Sequence, residues 1–210
     1  MSRRRVQLIV ILSVVASFVA ACGAPRPIKY YVIDVPPTPT PAAVATPLPI
    51  SLLVGRFTAS HLYRDDRLVY GSGQVQLGTY EYDRWAEAPA DMVQDALIRV
   101  LRNSGQYAAV SRVAASVRGN YIIRGHLLQM YGVDQPALVA RFSLHLELYD
   151  PTARSIPWSQ TYTHDEPVAD KTVPSIVLAM DKNVNAGLQE LSASLSQYFA
   201  SHPPQASAGQ

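Results

Sequence analysis

The chain has 210 residues, of which 48% are hydrophobic and 16% are charged, and this size allows one domain with a hydrophobic core. Loss of residues 1–21 as a signal peptide would leave 15 basic against 16 acidic side chains, which excludes a basic field for nucleic acid. Cys22 is the only cysteine, which excludes an intramolecular disulfide and a cysteine metal cluster.

The first 23 residues have the pattern of a lipoprotein export signal. Basic residues 3–5 precede the apolar residues 6–19, and Val19-Ala20-Ala21-Cys22-Gly23 places small side chains before a cysteine. This lipobox predicts cleavage between Ala21 and Cys22, with diacylglycerol and an N-acyl chain on Cys22. Gly23 stands where many proteobacterial lipoproteins carry an inner-membrane retention aspartate, which favours the inner leaflet of the outer membrane. The alternative is an ordinary signal peptide or membrane anchor with an incidental cysteine.

The start of the mature chain predicts a lipidated tether at 22–29, a strand at 30–35 and a Pro-rich segment at 36–49. The Pro-rich segment is either a spacer from the membrane or a long loop between two strands. Residues 50–57 predict a buried strand, and residues 67–70 and 74–82 predict a hairpin around Gly71-Ser72-Gly73.

The rest of the chain predicts two helices among further strands. Residues 89–104 have helical periodicity, with Asp91 in the first turn and Gly105 as a stop. Strands follow at 107–111, 121–131, 138–149 and 156–162, the last two as a second hairpin. An amphipathic helix is predicted at 174–200 and a disordered tail at 201–210. We therefore expect one α+β domain at 30–200, in which the two helices pack on a mixed sheet of five to seven strands.

Catalytic and metal-binding patterns are missing from the sequence. The five histidines make no ligand spacing, and His126 and His145 fall in different predicted strands. No GxSxG elbow occurs, and the only thiol is assigned to lipid. We expect a protein that is not an enzyme, without a metal and without a cofactor other than the lipid on Cys22.

One segment, residues 80–87, combines three aromatic side chains with charges, the composition of a protein interface. It makes Tyr82, Arg84 and Trp85 candidate residues for docking a partner. In the alternative interpretation, Trp85 only fixes the following helix onto the sheet.

The order of these features resembles the ABC-type transport auxiliary lipoprotein family, of the PqiC or YmbA type. The resemblance covers residues 29 to 200 and is carried by the lipobox and by five short motifs: Tyr30-Tyr31-Val32-Ile33-Asp34, Tyr82-Asp83-Arg84-Trp85-Ala86-Glu87, Gly105-Gln106-Tyr107, Leu144-His145-Leu146-Glu147-Leu148-Tyr149-Asp150 and Pro157-Trp158-Ser159.

The resemblance implies an accessory lipoprotein of an envelope lipid-transport system. It implies a periplasmic MCE-domain protein as the direct partner and an ABC permease and ATPase as indirect partners. The acylated cysteine of the family corresponds to Cys22. Two other functions stay open, namely a module that binds lipid between sheet and helix, and a structural envelope lipoprotein. The oligomeric state stays open as well.

Overall fold

The computed structural model describes residues 26–34, 47–72, 76–114 and 116–203. The lipobox with Cys22, most of the Pro-rich segment and the end of the tail lie outside these residues. In the described part, nine strands form one mixed sheet, and two helices and a single 3-10 turn at His61–Tyr63 complete the domain. The strands are β1 (Lys29–Tyr31), β2 (Leu48–Val54), β3 (Thr58–Ala59), β4 (Arg67–Ser72), β5 (Gln76–Trp85), β6 (Tyr107–Arg112), β7 (Tyr121–Val133), β8 (Val139–Asp150) and β9 (Ser155–Pro167), and the helices are α1 (Pro89–Asn103) and α2 (Val173–Ser201).

The sheet is organised around the long strand β7. On one side, β7 pairs in succession with β2, β3 and β4, all parallel to it. On the other side it pairs along its whole length with the antiparallel strand β8, which then pairs with β9. Strand β6 extends the sheet beyond β2, and β5 followed by β1 extends it beyond β4. Strands β1 and β9 therefore lie at opposite edges.

Both helices cover the same face of the sheet. Every second residue of β8 is apolar, and these residues are buried beneath α2, while α1 packs on β6 and β7 and against α2. A glycine at position 187 of α2 allows the close approach, since a Cβ there would be 2.6 Å from the ring of Tyr162 on β9. The fully buried side chains between the layers include Leu97, Phe142, Leu144, Leu148, Met180 and Phe199.

Helix ends follow the chemistry of the sequence. Helix α1 begins at Pro89 with Asp91 in its first turn, and Gly105 follows it at a φ of 62°. Helix α2 begins after Thr172, whose hydroxyl accepts a hydrogen bond from the backbone N–H of Ser175.

The fold confirms the expected α+β class, both helices and both hairpins. Strand β1 was predicted at 30–35 and is observed at Lys29–Tyr31, whereas the two-residue strand β3 was not predicted because it is too short to show a pattern. Ser201, which the sequence assigned to the tail, is still helical, and residues 204–210 lie outside the described part. Strands β1 and β2 flank the Pro-rich segment, whose residues 35–46 lie outside the described part.

Candidate functional site

The face of the sheet without helices carries the polar side chains of the long strands. Along β8 they are Arg141, Ser143, His145 and Glu147, which alternate with the buried apolar row. Two grooves open on this face, one across the middle of β7 and one at the β7–β8 turn. We call them the central groove and the turn groove.

The central groove brings together two histidines that the sequence leaves in separate strands. His126 and His145 are direct cross-strand partners. His126 Nδ1 lies 2.6 Å from the hydroxyl of Thr58, and His145 Nδ1 lies 2.8 Å from the hydroxyl of Thr161. Within the described residues, no group of three or more His, Cys, Asp or Glu side chains is placed to hold a metal ion. Each histidine is therefore hydrogen-bonded to a threonine hydroxyl on a neighbouring strand.

The central groove has a volume of about 510 Å³, which is within the usual range for small-molecule sites. Its charged groups are Arg56, Arg124 and Glu147, and Arg56 lies 3.9 Å from the carboxylate of Asp91 on α1. The Arg124 guanidinium lies 3.9 Å from the ring centre of Tyr149, a cation–π contact that holds it over the sheet, while Arg56 is 85% exposed. Ile122 adds an apolar wall. This combination suits an amphiphilic anion.

The turn groove has a volume of about 570 Å³, and its charges neutralise each other. Arg141 donates two hydrogen bonds of 2.6 Å to the two carboxylate oxygens of Asp165. These bonds lower the pKa of Asp165, and the same contact raises the pKa of Arg141.

The three predicted docking residues lie at the end of β5 but differ in burial. Trp85 is only 3% exposed and belongs to the hydrophobic core. Arg84 donates a hydrogen bond of 3.0 Å to Asp66 and keeps 26% of its side chain exposed. Tyr82 is half-buried, and hydrogen bonding to Glu81 raises its pKa.

At 3% exposure, Trp85 offers almost no surface to a partner, which favours the alternative interpretation. Trp85 belongs to the same buried cluster as the apolar residues of α1, as expected if it fixes the helix onto the sheet. Docking by Tyr82 and Arg84 stays a prediction.

The space between the sheet and α2 is filled by the protein itself. Asn183 has no exposed surface; its amide donates to the carbonyl groups of Ala140 and His164, and its side-chain oxygen accepts from the hydroxyl of Tyr162. Within the described residues, neither groove on the helix-free face reaches into this layer.

No helix among the described residues is long and apolar enough to cross a membrane. Residues 31–192 match the model of a protein family described as the ABC-type transport auxiliary lipoprotein component. Among curated proteins, none matches the chain.

Solved structures share the fold at low sequence identity. The protein XCC0632 from Xanthomonas campestris is 21% identical, with a TM-score of 0.73 over 83% of this chain and 98% of that one. A crystal structure described as an uncharacterized protein is 12% identical, with a TM-score of 0.61 over 83% and 99%. The PelC dodecamer from Paraburkholderia phytofirmans is 14% identical over 71% of this chain and 92% of that one, with a TM-score of 0.46.

Proposed function

Since the chain belongs to the ABC-type transport auxiliary lipoprotein family, we propose that it is a non-catalytic accessory subunit that docks a periplasmic MCE-domain protein and tethers it to the outer membrane. In this proposal, lipid on Cys22 holds the domain on the inner leaflet, facing the periplasm. The permease and ATPase of the transport system are reached only through the MCE protein.

The observation that carries the proposal is the family match, which spans residues 31–192 and so nearly all of the folded domain. The lipobox predicts acylation of Cys22, which supports a membrane anchor. Two or three acyl chains, at about 0.8 kcal/mol per buried CH₂, bind a bilayer durably. A protein fixed in this way needs only a docking surface to hold a partner near the membrane.

The docking surface proposed for the MCE partner is the exposed end of β5 at Tyr82 and Arg84. Arginine and tyrosine are enriched among the residues that dominate binding energy at interfaces. The Arg84 guanidinium is held in place by Asp66 at 3.0 Å while part of it remains open to solvent. A cation that is already oriented loses less entropy when it binds.

Co-purification of the full-length lipoprotein with its MCE partner tests this function. We expect Tyr82→Ala and Arg84→Ala each to weaken the complex about tenfold, which corresponds to about 1.4 kcal/mol. Asp66→Ala is the matched control, because it breaks the same ion pair but keeps the arginine. Failure of the wild-type protein to retain an MCE partner would remove the proposed function. Equal losses in Arg84→Ala and Asp66→Ala would mean that the ion pair only supports the fold.

A second function, lipid binding by the domain itself, is favoured by the central groove. The groove lies on the helix-free face, whereas the sequence suggested a site between sheet and helix. Arg124 and Arg56 would contact an anionic headgroup, and Ile122 would contact the start of an acyl chain.

Native mass spectrometry of the protein purified from cells tests lipid binding. A co-purified lipid that is lost in Arg124→Gln and kept in Arg118→Gln, a change at an exposed arginine outside the groove, would support it. A lipid-free wild-type protein would count against it.

A further inference from the structure

Three apolar side chains form an exposed row along the first described segment of the chain. Ile28, Tyr30 and Val32 are 45%, 61% and 61% exposed. The alternate residues Tyr31 and Ile33 point the other way, toward the core. The outward row thus follows from strand alternation, and packing within the domain does not account for it.

The row is fixed to the domain on both sides. Strand β1 pairs with β5, and the hydroxyl of Tyr31 donates a hydrogen bond of 2.9 Å to Asp83. After the row, the backbone N–H of Asp34 donates to the carboxylate of Asp181 on α2 at 2.8 Å. The three side chains therefore keep a defined direction relative to the sheet.

Basic and aromatic groups border the row. Arg26 lies 5.9 Å from the ring centre of Tyr82, and Arg84 is the cross-strand partner of Tyr30, so the docking surface proposed at Tyr82 and Arg84 borders the row. At the other end of the row, Val32 lines a shallow groove together with Glu87, Asp95 and Arg99, so the basic border lies at the Ile28 and Tyr30 end. Tyrosine beside arginine is a composition that proteins place at the bilayer interface, where the rings meet the headgroups and the cations meet phosphate.

The predicted lipid anchor on Cys22 lies only a short length of chain before the row, which makes the membrane the surface nearest to it. Six residues separate Cys22 from Ile28. A fully extended chain gains at most about 3.6 Å per residue, so the row begins no more than about 22 Å from the lipidated cysteine. That distance is about half the full thickness of a bilayer with its headgroups. An acyl anchor at Cys22 keeps the row next to the membrane surface.

We propose that Ile28, Tyr30 and Val32 form a membrane-contact row that seats the β1 edge of the sheet in the phospholipid headgroup layer. The inference rests on the proposed lipidation of Cys22 and deepens the tethering function, because the row orients the domain that the lipid only holds.

The test uses single cysteines in the full-length, lipidated protein reconstituted in phosphatidylethanolamine and phosphatidylglycerol vesicles. Tyr30→Cys and Val32→Cys are labelled with nitrobenzoxadiazole, and quenching by spin-labelled lipid is measured. Leu178→Cys is the matched control, because Leu178 is also apolar and is 71% exposed on α2. We expect at least threefold stronger quenching at positions 30 and 32 than at 178. Circular dichroism checks that each variant is folded.

The outcomes separate the row from the anchor. Because Cys22 is the only native cysteine, the wild-type protein takes up no dye if that thiol carries lipid. Dye uptake by the wild type would therefore contradict the proposed anchoring. Equal quenching at 30, 32 and 178 in a protein that is lipidated would overturn the membrane-contact row. Energy transfer between labelled copies at position 30, without lipid quenching, would also overturn it and assign the row to a second copy. A dye response only to the MCE partner would assign it to protein docking.

Discussion

Replacing Trp85 with alanine distinguishes a core residue from a docking residue. Trp85 is 3% exposed, so nearly all of its side chain would lose its packing. A buried aromatic side chain removes about 150–250 Å² from water. At about 25 cal/mol per Å², this area corresponds to about 4–6 kcal/mol. Allowance for a compact unfolded state reduces the value to about 3–5 kcal/mol, the usual cost of such a truncation in a core.

We therefore expect Trp85→Ala to lower the free energy of unfolding by about 3–5 kcal/mol, a large part of the stability of a typical domain. Urea unfolding followed by circular dichroism measures it, since this signal does not depend on the lost indole. Tyr82→Ala, at a half-buried position of the same strand, should cost less than about 1 kcal/mol. If Trp85→Ala unfolded within about 1 kcal/mol of the wild type and yet lost its partner, the core assignment would be refuted and Trp85 would return as a docking residue.

Three further predictions concern the packing and charge of the domain. Asn183→Leu should lower the free energy of unfolding in urea by about 2–4 kcal/mol, because it leaves the buried carbonyl group of Ala140 and hydroxyl of Tyr162 without a partner. Tyr162→Phe should cost only about 1 kcal/mol, and equal costs for the two variants would contradict this network. Gly125→Ala should cost about 1–3 kcal/mol by the same measurement, since its Cβ would lie 2.5 Å from an aromatic ring, and an unchanged stability would show that the ring moves freely. Asp165→Asn should lower stability at pH 7 by only about 0.5–1 kcal/mol, because the ion pair with Arg141 is more than a third exposed. The contact lowers the pKa of Asp165, so its contribution is complete above the unfolded-state pKa of about 3.9 and is lost as pH falls through the lower folded-state pKa. A wild-type-to-variant difference that persisted below that range would refute the assignment.

Local signals explain why the helices and hairpins could be predicted. Helix α1 has a proline at its first position and a glycine just after its end, and its buried residues recur with helical spacing. The turn after Asp150 joins two strands whose residues pair antiparallel along nearly their whole length. Each of these features depends on residues that are close in sequence.

The position of Trp85 could not be read from the sequence. Aromatic residues at 80, 82 and 85 do not share one strand face by simple alternation, and the register between β4 and β5 shifts between the pairs Arg67–Arg84 and Val69–Thr79. Such a bulge changes which side of the strand is buried. Strand alternation alone could therefore not separate a docking tryptophan from a core tryptophan.

The central groove was also out of reach of the sequence. His126 and His145 become cross-strand partners only through the register of β7 and β8, which shifts between Leu127 and Gln129. Arg56 joins them because β2 and β3 pair with the same edge of β7.

The sequence by itself determined the α+β class and the approximate limits of the two helices, because periodicity, caps and turns are properties of neighbouring residues, and it predicts the export signal. Only the tertiary structure decided that Trp85 is buried, that Ile28, Tyr30 and Val32 face outward, and that the central groove lies on the helix-free face. Those outcomes depend on the pairing of β1 with β5 and of β7 with three other strands. Such long-range pairing is selected by the burial of the whole core, and no short segment carries that information.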